Sequence, residues 1–526
     1  MPIATQRDVE FISSIRFCPS ETSLLYIAEK NPPSSFDDAF SKFRYTPSFG
    51  EGLPSFKRPG IFTLQWSKDE TESNTDLKLY HLTVPTKHVV HFGQVIYHTD
   101  TELYATGYEF TSDDRLLGIK YCFNRPFGIW RISVTSVTSD LEEYSTRECT
   151  ADKLTPSHLS CRSPRICASS SGTKLVYLSS ETGGAHASTN SLNVFDLPLL
   201  SDSPSPQPKT LVPIVQDADP NSFPGLYPPW TLSSSFTVNH PDWNAPKIVV
   251  SSTWRSRNTI LLIDAQTGQI IDLTPPDESY WSWTLLTTDE QDKIVCVRSA
   301  PNVPHQVLLG TISATFSVDW RVIHEPTLTE KLRTALSSIE TKIIPTPDRG
   351  PVETVVIRST LPSQENRCIL APHGGPHGGT TTEFNPITSA FALEGCKLSF
   401  TCSLHILIVI DSQDTVALPN YTGSVGYGQS AILRLIGKCG SLDVQDCVQS
   451  LHHLVKLGYA QLGAGKVFIF GGSHGGFLGA HCKPFFFLSL RRIDMLTYIS
   501  SGWPVPGYVH GGSSSQPRHI SRRNIN

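Results

Sequence analysis

A chain of 526 residues exceeds what one compact core holds, so two domains are expected, with three as the upper reading. Apolar residues at 39% and charged residues at 17% are the proportions of a folded globular protein and argue against general disorder. A net charge of −5 with no dense Lys/Arg run offers nothing to a phosphate backbone or an anionic bilayer, so neither nucleic acid nor membrane is an expected partner.

The start, "MPIATQRDVEFISSI", lacks a basic stretch followed by an apolar one, and the longest apolar runs, such as "LHILIVI" at 404–410, fall short of the roughly 18–20 residues that cross a bilayer. Twelve cysteines lie between Cys18 and Cys482 without a C-x-x-C pair, which argues against a zinc site or a small disulfide scaffold and for reduced, mostly buried thiols. A cytoplasmic protein is expected.

From residue 1 to about 340, short β-branched and aromatic runs alternate with turn residues, and no sustained 3.6-residue period appears. The runs "TSLLYIAEK", "TELYATGYEF", "TKLVYLSS", "PKIVVSSTW" and "DKIVCVRSA" each follow a polar turn and read as one recurring element. Their marker positions Leu25, Leu103, Val176, Ile248 and Ile294 lie 46–78 residues apart. That is near a propeller blade of about 40–50 residues with inserted loops. In "KIVVSSTWRSRNTILLIDAQTGQIIDLT" three strands are legible, with "DAQTGQ" as a hairpin turn. A β-propeller is expected over 1–340, with a β-sandwich as the alternative. Ser/Pro-rich stretches at 199–211 and around 155–172 read as surface loops.

The boundary is expected at 325–350, where "TLTEKLRTALSSIETKI" runs into the Pro/Gly-rich "IPTPDRGP". Beyond it, strand-like "VETVVIRST" and "RCILAP", helix-like "SLDVQDCVQSLHHLVKLG" and strand-like "KVFIFG" alternate as in an α/β sheet. The helix has an apolar face through Val444, Val448, Leu451 and Val455; Asp443 and Asp446 read as helix-start carboxylates behind Ser441, complementing the dipole.

Gly471-Gly472-Ser473-His474-Gly475 follows an apolar strand and precedes a helix-compatible run, the strand–turn–helix setting of a nucleophile elbow. A serine on so sharp a turn needs small residues two before and two after it, and both are glycine. "CILAPHGGPHGG", one hundred residues upstream, places a second glycine pair after another apolar strand, where the other half of an oxyanion hole is expected. Ser473 is the candidate nucleophile, with the backbone N–H groups of Gly375 and His474 as oxyanion donors. His373 and His377 are expected to structure their loop, and no metal ligand is assigned.

"HGGPH", "NYTGSVGYGQ" and "GGSHGGF", in that order, resemble the acylaminoacyl peptidases (acylamino-acid-releasing enzymes) of the prolyl oligopeptidase family. "SETSLLYIAEK", "FGIWRISV" and "SPRICASSSGTKLVYLSS" resemble that family's propeller, so the likeness covers about residues 10–480. It implies a β-propeller followed by an α/β-hydrolase domain, with the active site at their interface. It also implies a serine exopeptidase that releases N-acylated amino acids from blocked peptides, without metal or organic cofactor, and often as a homo-oligomer.

The chain departs from that pattern in places. The hydrolase order is Ser, Asp/Glu, His, yet 53 residues follow Ser473, with Asp494 as their one acid and His510 and His519 in no family-like setting. The expectation is therefore a hydrolase core over 345–482 that is incomplete at its C-terminus, with triad Asp and His missing and a non-homologous, disordered tail over 483–526. Pro484 is expected to break the helix after the elbow. Residues 398–415 resemble an insertion, Thr422 stands where the family's "NYRGS" has arginine, and early propeller strands are expected to be missing, which leaves ring closure open. The alternative function is a non-catalytic, propeller-based peptide- or partner-binding protein.

Overall fold

The computed structural model describes residues 11–29, 48–50, 58–66, 77–86, 89–113, 115–139, 145–169, 172–199, 207–361, 367–394 and 414–487, with 40, 43, 45, 53, 398–399, 407–408 and 496–497 between or beyond them. Most of the expected disordered tail, with Asp494, His510 and His519, and most of the expected insertion lie outside these residues; the described parts of that tail, 483–487 and 496–497, are helix and strand, which corrects the expectation there.

Twenty strands form five four-stranded antiparallel units in chain order. The first holds β1 (Ile15–Phe17), β2 (Ser23–Glu29), β3 (Pro59–Gln65) and β4 (Lys78–Thr83), and the second β5 (Val90–Tyr97), β6 (Glu102–Glu109), β7 (Phe127–Ser139) and β8 (Ser145–Lys153). The third holds β9 (Leu159–Ser169), β10 (Gly172–Glu181), β11 (Ser191–Leu197) and β12 (Lys209–Val212). The fourth comprises β13 (Thr237–Val238), β14 (Lys247–Trp254), β15 (Arg257–Asp264) and β16 (Ile270–Asp272), and the fifth β17 (Ser282–Thr288), β18 (Lys293–Ala300), β19 (Val303–Ile312) and β20 (Val318–His324). This is the expected propeller. The five marker positions all fall on the second strand of their unit, β2, β6, β10, β14 and β18.

Strand alternation sends side chains to both faces of each unit, so apolar cores form between neighbours. Ile96, Tyr104 and Ile129 of the second unit pack with Leu175, Tyr177 and Phe195 of the third. On the other face of β10, Val176 and Leu178 pack with Ile248 and Leu261 of the fourth. Trp283, Ile294 and Leu308 of the fifth meet Val249 and Ile260 of the fourth. The first two units are continuous, because β4 and β8 pair in parallel from Tyr80↔Ser145 to Thr83↔Glu148. No hydrophobic cluster among the described residues joins the fifth unit to the first.

The expected hairpin turn sits between β15 and β16. Asp264 Oδ1 accepts from the N–H groups of Gln266 (2.8 Å) and Thr267 (2.7 Å), and Gly268 supplies the positive φ of 77°. The loop expected around 155–172 is corrected: residues 159–169 form β9, buried along most of its length. Proline is tolerated there because β9 is an edge of its sheet, where a missing N–H at Pro164 removes no ladder bond. Likewise the end of the stretch 199–211, residues 209–211, belongs to strand β12, not to a loop.

After α1 (Glu330–Ser337) the chain enters a mixed sheet: β21 (Ile339–Pro345), β22 (Glu353–Ser359), β23 (Arg367–Leu370), α2 (Pro386–Glu394), the short hairpin β24 (Leu398–Ser399) and β25 (Leu407–Ile408), and β26 (Asp414–Asn420). There follow α3 (Gln429–Leu433), α4 (Leu442–Lys456), β27 (Val467–Gly471), α5 (His474–Phe487) and β28 (Leu496–Thr497). Sheet order is β21-β22-β26-β23-β27-β28, antiparallel as far as β26 and parallel beyond it. Val355, Ile357, Ile369 and Val416 face one layer with α2, while Val356, Cys368, Leu370 and Ala417 face the other with α4 and α5. The period of two decides this. On α4 the buried face runs through Val444, Cys447, Val448, Leu451 and Leu454; Val455, expected on it, is only partly buried. Helix α5 continues through Pro484 to Phe487, contrary to the expected break: an interior proline removes one helical hydrogen bond and need not end the helix.

The two domains are joined by buried polar contacts. Glu353 accepts from Ser256 Oγ (2.6 Å) and Tyr427 OH (2.9 Å) and faces Arg255 Nη1 at 3.3 Å. Asn420 Nδ2 donates to Ser256 Oγ (2.9 Å), and the N–H of Gly428 to Tyr227 OH (2.9 Å). These bonds hold the propeller against the loop that follows β26.

Candidate active site

Strands β23 and β27 are parallel neighbours, with Leu370 opposite Ile469. Their carboxyl ends therefore lie side by side, and the two glycine motifs that leave them meet there although a hundred residues separate them. Ligand sites in open α/β sheets form at such carboxyl ends.

Ser473 occupies the turn between β27 and α5, exposed, with φ of 51°. A non-glycine residue at that φ is strained, and the surrounding contacts hold it. A Cβ on Gly471 would lie 2.6 Å from the backbone C and O of Gly475, and one on Gly475 would overlap the carbonyl oxygen of Pro372. Both glycines are thus sterically required, and the Gly475 contact is what presses the elbow against the 372–375 loop. A Cβ on Gly374 would stand 3.6 Å from the Cβ of Ser473, in ordinary contact. Gly375, φ 136°, turns the same loop, its nearest neighbours being His377 and Gly378. His474 is the first residue of α5, in the turn where backbone N–H groups have no partner within a helix. Among the described residues, no side chain is hydrogen-bonded to Ser473 Oγ.

The histidines near the elbow have other partners. His373 Nδ1 donates to Gly374 O (2.7 Å), and Nε2 lies 2.8 Å from Ser424 Oγ, whose own proton goes to Tyr421 O (2.7 Å). Tyr421 stacks on that ring at 4.2 Å, and its hydroxyl donates to His373 O. Burial pushes the His373 imidazole down to about 4, with His474 and His377 adding to the effect. His377 Nδ1 bonds Gly423 O (3.0 Å), and burial lowers its pKa too. Both rings tie the 372–379 loop to the loop after β26.

Two carboxylates read from sequence as dipole partners have more specific roles. Asp443, fully buried, accepts from His474 Nε2 (2.8 Å) through Oδ2 and from the N–H groups of Gly440 (2.8 Å) and Val444 (2.9 Å) through Oδ1. Asp446, also buried, pairs with Arg349 (2.6 Å) and takes the N–H of Thr422 (2.8 Å). Ser441 makes no side-chain cap to α4. The sequence carried one signal for this: 443, 447, 451 and 454 share a helical face that is otherwise apolar, so a carboxylate there needed partners of its own. Thr422, at the position of a usual family arginine, is buried with a hydroxyl that has no hydrogen-bond partner among the described residues.

Residues 10–333 match the family described as acylamino-acid-releasing enzyme, N-terminal domain, and residues 401–482 match the prolyl oligopeptidase family. The acylamino-acid-releasing enzyme of Arabidopsis thaliana is 29% identical over 510 residues, covering 90% of this chain and 62% of the plant protein. That of Mus musculus is 26% identical over 501 residues, covering 88% and 60%. The chain thus spans about three fifths of the length of the curated relatives it matches. Among solved structures, the Pyrococcus horikoshii acylaminoacyl peptidase aligns with a TM-score of 0.55 at 12% identity over 90% of this chain and 61% of that one. A Mycobacterium tuberculosis puromycin-hydrolyzing peptidase aligns with 0.53 at 15% identity over 89% and 59%. At these identities the structural likeness speaks to the fold.

Proposed function

This chain belongs to the acylamino-acid-releasing enzymes of the prolyl oligopeptidase family, and from that premise we propose that it is built for acyl transfer to Ser473 from N-acylated peptides. The observation that carries the reading is the exposed Ser473 at φ 51°, pressed beside Gly374 by the contact of Gly475 with Pro372. In this reading Ser473 Oγ attacks the carbonyl carbon of the residue bearing the N-acyl group. The backbone N–H groups of Gly375 and His474 receive the developing oxyanion, each such donor being worth about 3–4 kcal/mol of transition-state stabilisation. Collapse expels the peptide amine, and water releases the N-acylated amino acid from the acyl-enzyme. No cofactor enters these steps. The proton acceptor for Ser473 is not supplied by the described contacts: Nε2 of His474 and both ring nitrogens of His373 are engaged elsewhere. A cytoplasmic setting accords with ten free cysteines among the described residues, and a homo-oligomer belongs to the same reading.

The test is a fluorophosphonate probe applied to the 526-residue chain and to Ser473→Ala. Labelling of the parent alone supports acyl transfer; equal, absent labelling removes it and leaves the peptide-binding alternative. Hydrolysis of an acetyl-alanyl chromogenic amide by the unlabelled parent chain, and not by Ser473→Ala, then fixes the substrate class. Labelling without that hydrolysis would keep the serine chemistry and discard the N-acylated substrate.

A further inference from the structure

Cys439, Asp443 and His474 come from the loop before α4, the first turn of α4 and the first residue of α5. Their ligating atoms all lie within 4.8 Å of one another. His474 Nε2 is 2.8 Å from Asp443 Oδ2 and 3.9 Å from Cys439 Sγ. We propose that these three side chains form a zinc-binding site beside the elbow, with a fourth coordination position open to solvent.

The donor set fits zinc. Thiolate, imidazole and carboxylate together favour a borderline-soft ion over magnesium or calcium, and three protein ligands with one open position is the usual form of a non-structural zinc site. Bond lengths of about 2.0–2.3 Å around a tetrahedral ion put its donors roughly 3.3–3.8 Å apart. The nitrogen–oxygen pair must open by about half an ångström, and the sulfur must close on the nitrogen by a few tenths and on the carboxylate by up to about an ångström. Cys439 has the freedom to do so, being the one exposed thiol among the described cysteines.

The surroundings are those of a held site. One oxygen of Asp443 is anchored by two backbone N–H groups, so the other is aimed at His474. The His474 ring is stacked on Phe477 at 5.3 Å. Outer-shell partners of this kind orient metal ligands. Two helix N-termini converge here, which by itself disfavours a cation. The carboxylate and a thiolate supply two negative charges, so a bound Zn²⁺ leaves the site neutral where the cation alone would not. On binding, the thiol proton of Cys439 passes to solvent and the imidazole proton of His474 shifts from Nε2 to Nδ1, so that a sulfur–zinc and a nitrogen–zinc bond take the place of the S–H and Nε2–H bonds. An ordinary aspartate–histidine hydrogen bond accounts for two of the three groups; it does not account for an exposed thiol set against them.

This inference does not rest on Ser473 being a nucleophile. The test titrates the metal-stripped 526-residue chain and Cys439→Ser with Zn²⁺ against a chromophoric zinc indicator. One ion per chain is expected, with affinity falling at least about a hundredfold in the variant, more than the loss of an outer-shell partner causes. Co²⁺ in place of Zn²⁺ should give a thiolate-to-metal charge-transfer band that Cys439→Ser lacks. Should the variant fail to fold, alkylation of the parent chain decides: Zn²⁺ must slow modification of Cys439, read by peptide mass spectrometry. Unchanged affinity in the variant, no stoichiometric binding, or alkylation indifferent to zinc would each overturn the site.

Discussion

Gly475 sits so close to the carbonyl oxygen of Pro372 that no side-chain carbon fits between them. Through that contact the helix after the serine packs against the loop after β23. Substituting Gly475→Ala must push the two apart or distort the turn. The expected cost is about 1–3 kcal/mol, the range for forced overpacking, with loss of any fluorophosphonate labelling. The denaturation midpoint and the probe read the two consequences separately.

Ser473 keeps a left-handed backbone at some cost to stability. Glycine adopts that conformation freely, while alanine does not. Ser473→Gly is therefore expected to raise stability by about 1 kcal/mol, and Ser473→Ala to leave it nearly unchanged. A stability ranking with alanine above glycine would show that the turn is relaxed.

Thr422 buries a hydroxyl with no hydrogen-bond partner among the described residues. Valine has the same shape without the oxygen, so Thr422→Val is expected to stabilise the chain by about 0.5–2 kcal/mol. Thr422→Ser keeps the hydroxyl, loses the methyl and should destabilise. Thermal midpoints of the two variants on either side of the parent are the predicted outcome.

The imidazole of His373 is held down to about 4 by burial, below its ordinary 6.5, and burial also lowers His377 and His186. Between those two values the unfolded chain binds more protons than the folded one, so stability rises with pH in that window. The contribution is full above about 6.5 and is lost as pH falls toward about 4, by about 2–3 kcal/mol for His373 alone. Urea midpoints at pH 7 and pH 4.5 should differ less in His373→Gln than in the parent. An identical difference in both would assign the acid sensitivity elsewhere.

Much of this architecture was legible in the linear chain. Leu25, Leu103, Val176, Ile248 and Ile294 mark the same strand of five successive units because a blade repeats its own alternation of apolar and polar residues. The elbow was legible for the same reason, since the need for glycine at 471 and 475 is set by backbone sterics over a few residues. Strand β9 was misread: serine and proline in "SHLSCRSPRICASS" are turn-formers by composition, and only the neighbouring units that bury Cys161 and Cys167 make it a strand.

The sequence by itself determined the order of the two folds, the sharp turn that carries Ser473 and the chemistry available there, because each depends on residues adjacent in the chain. Tertiary structure decided which distant groups share that neighbourhood. Parallel pairing of β23 with β27 brought Gly374 beside Ser473, and packing of α4 against α5 set Asp443 and Cys439 around His474. Sheet order and helix packing fix such meetings, and no local spacing of residues encodes them.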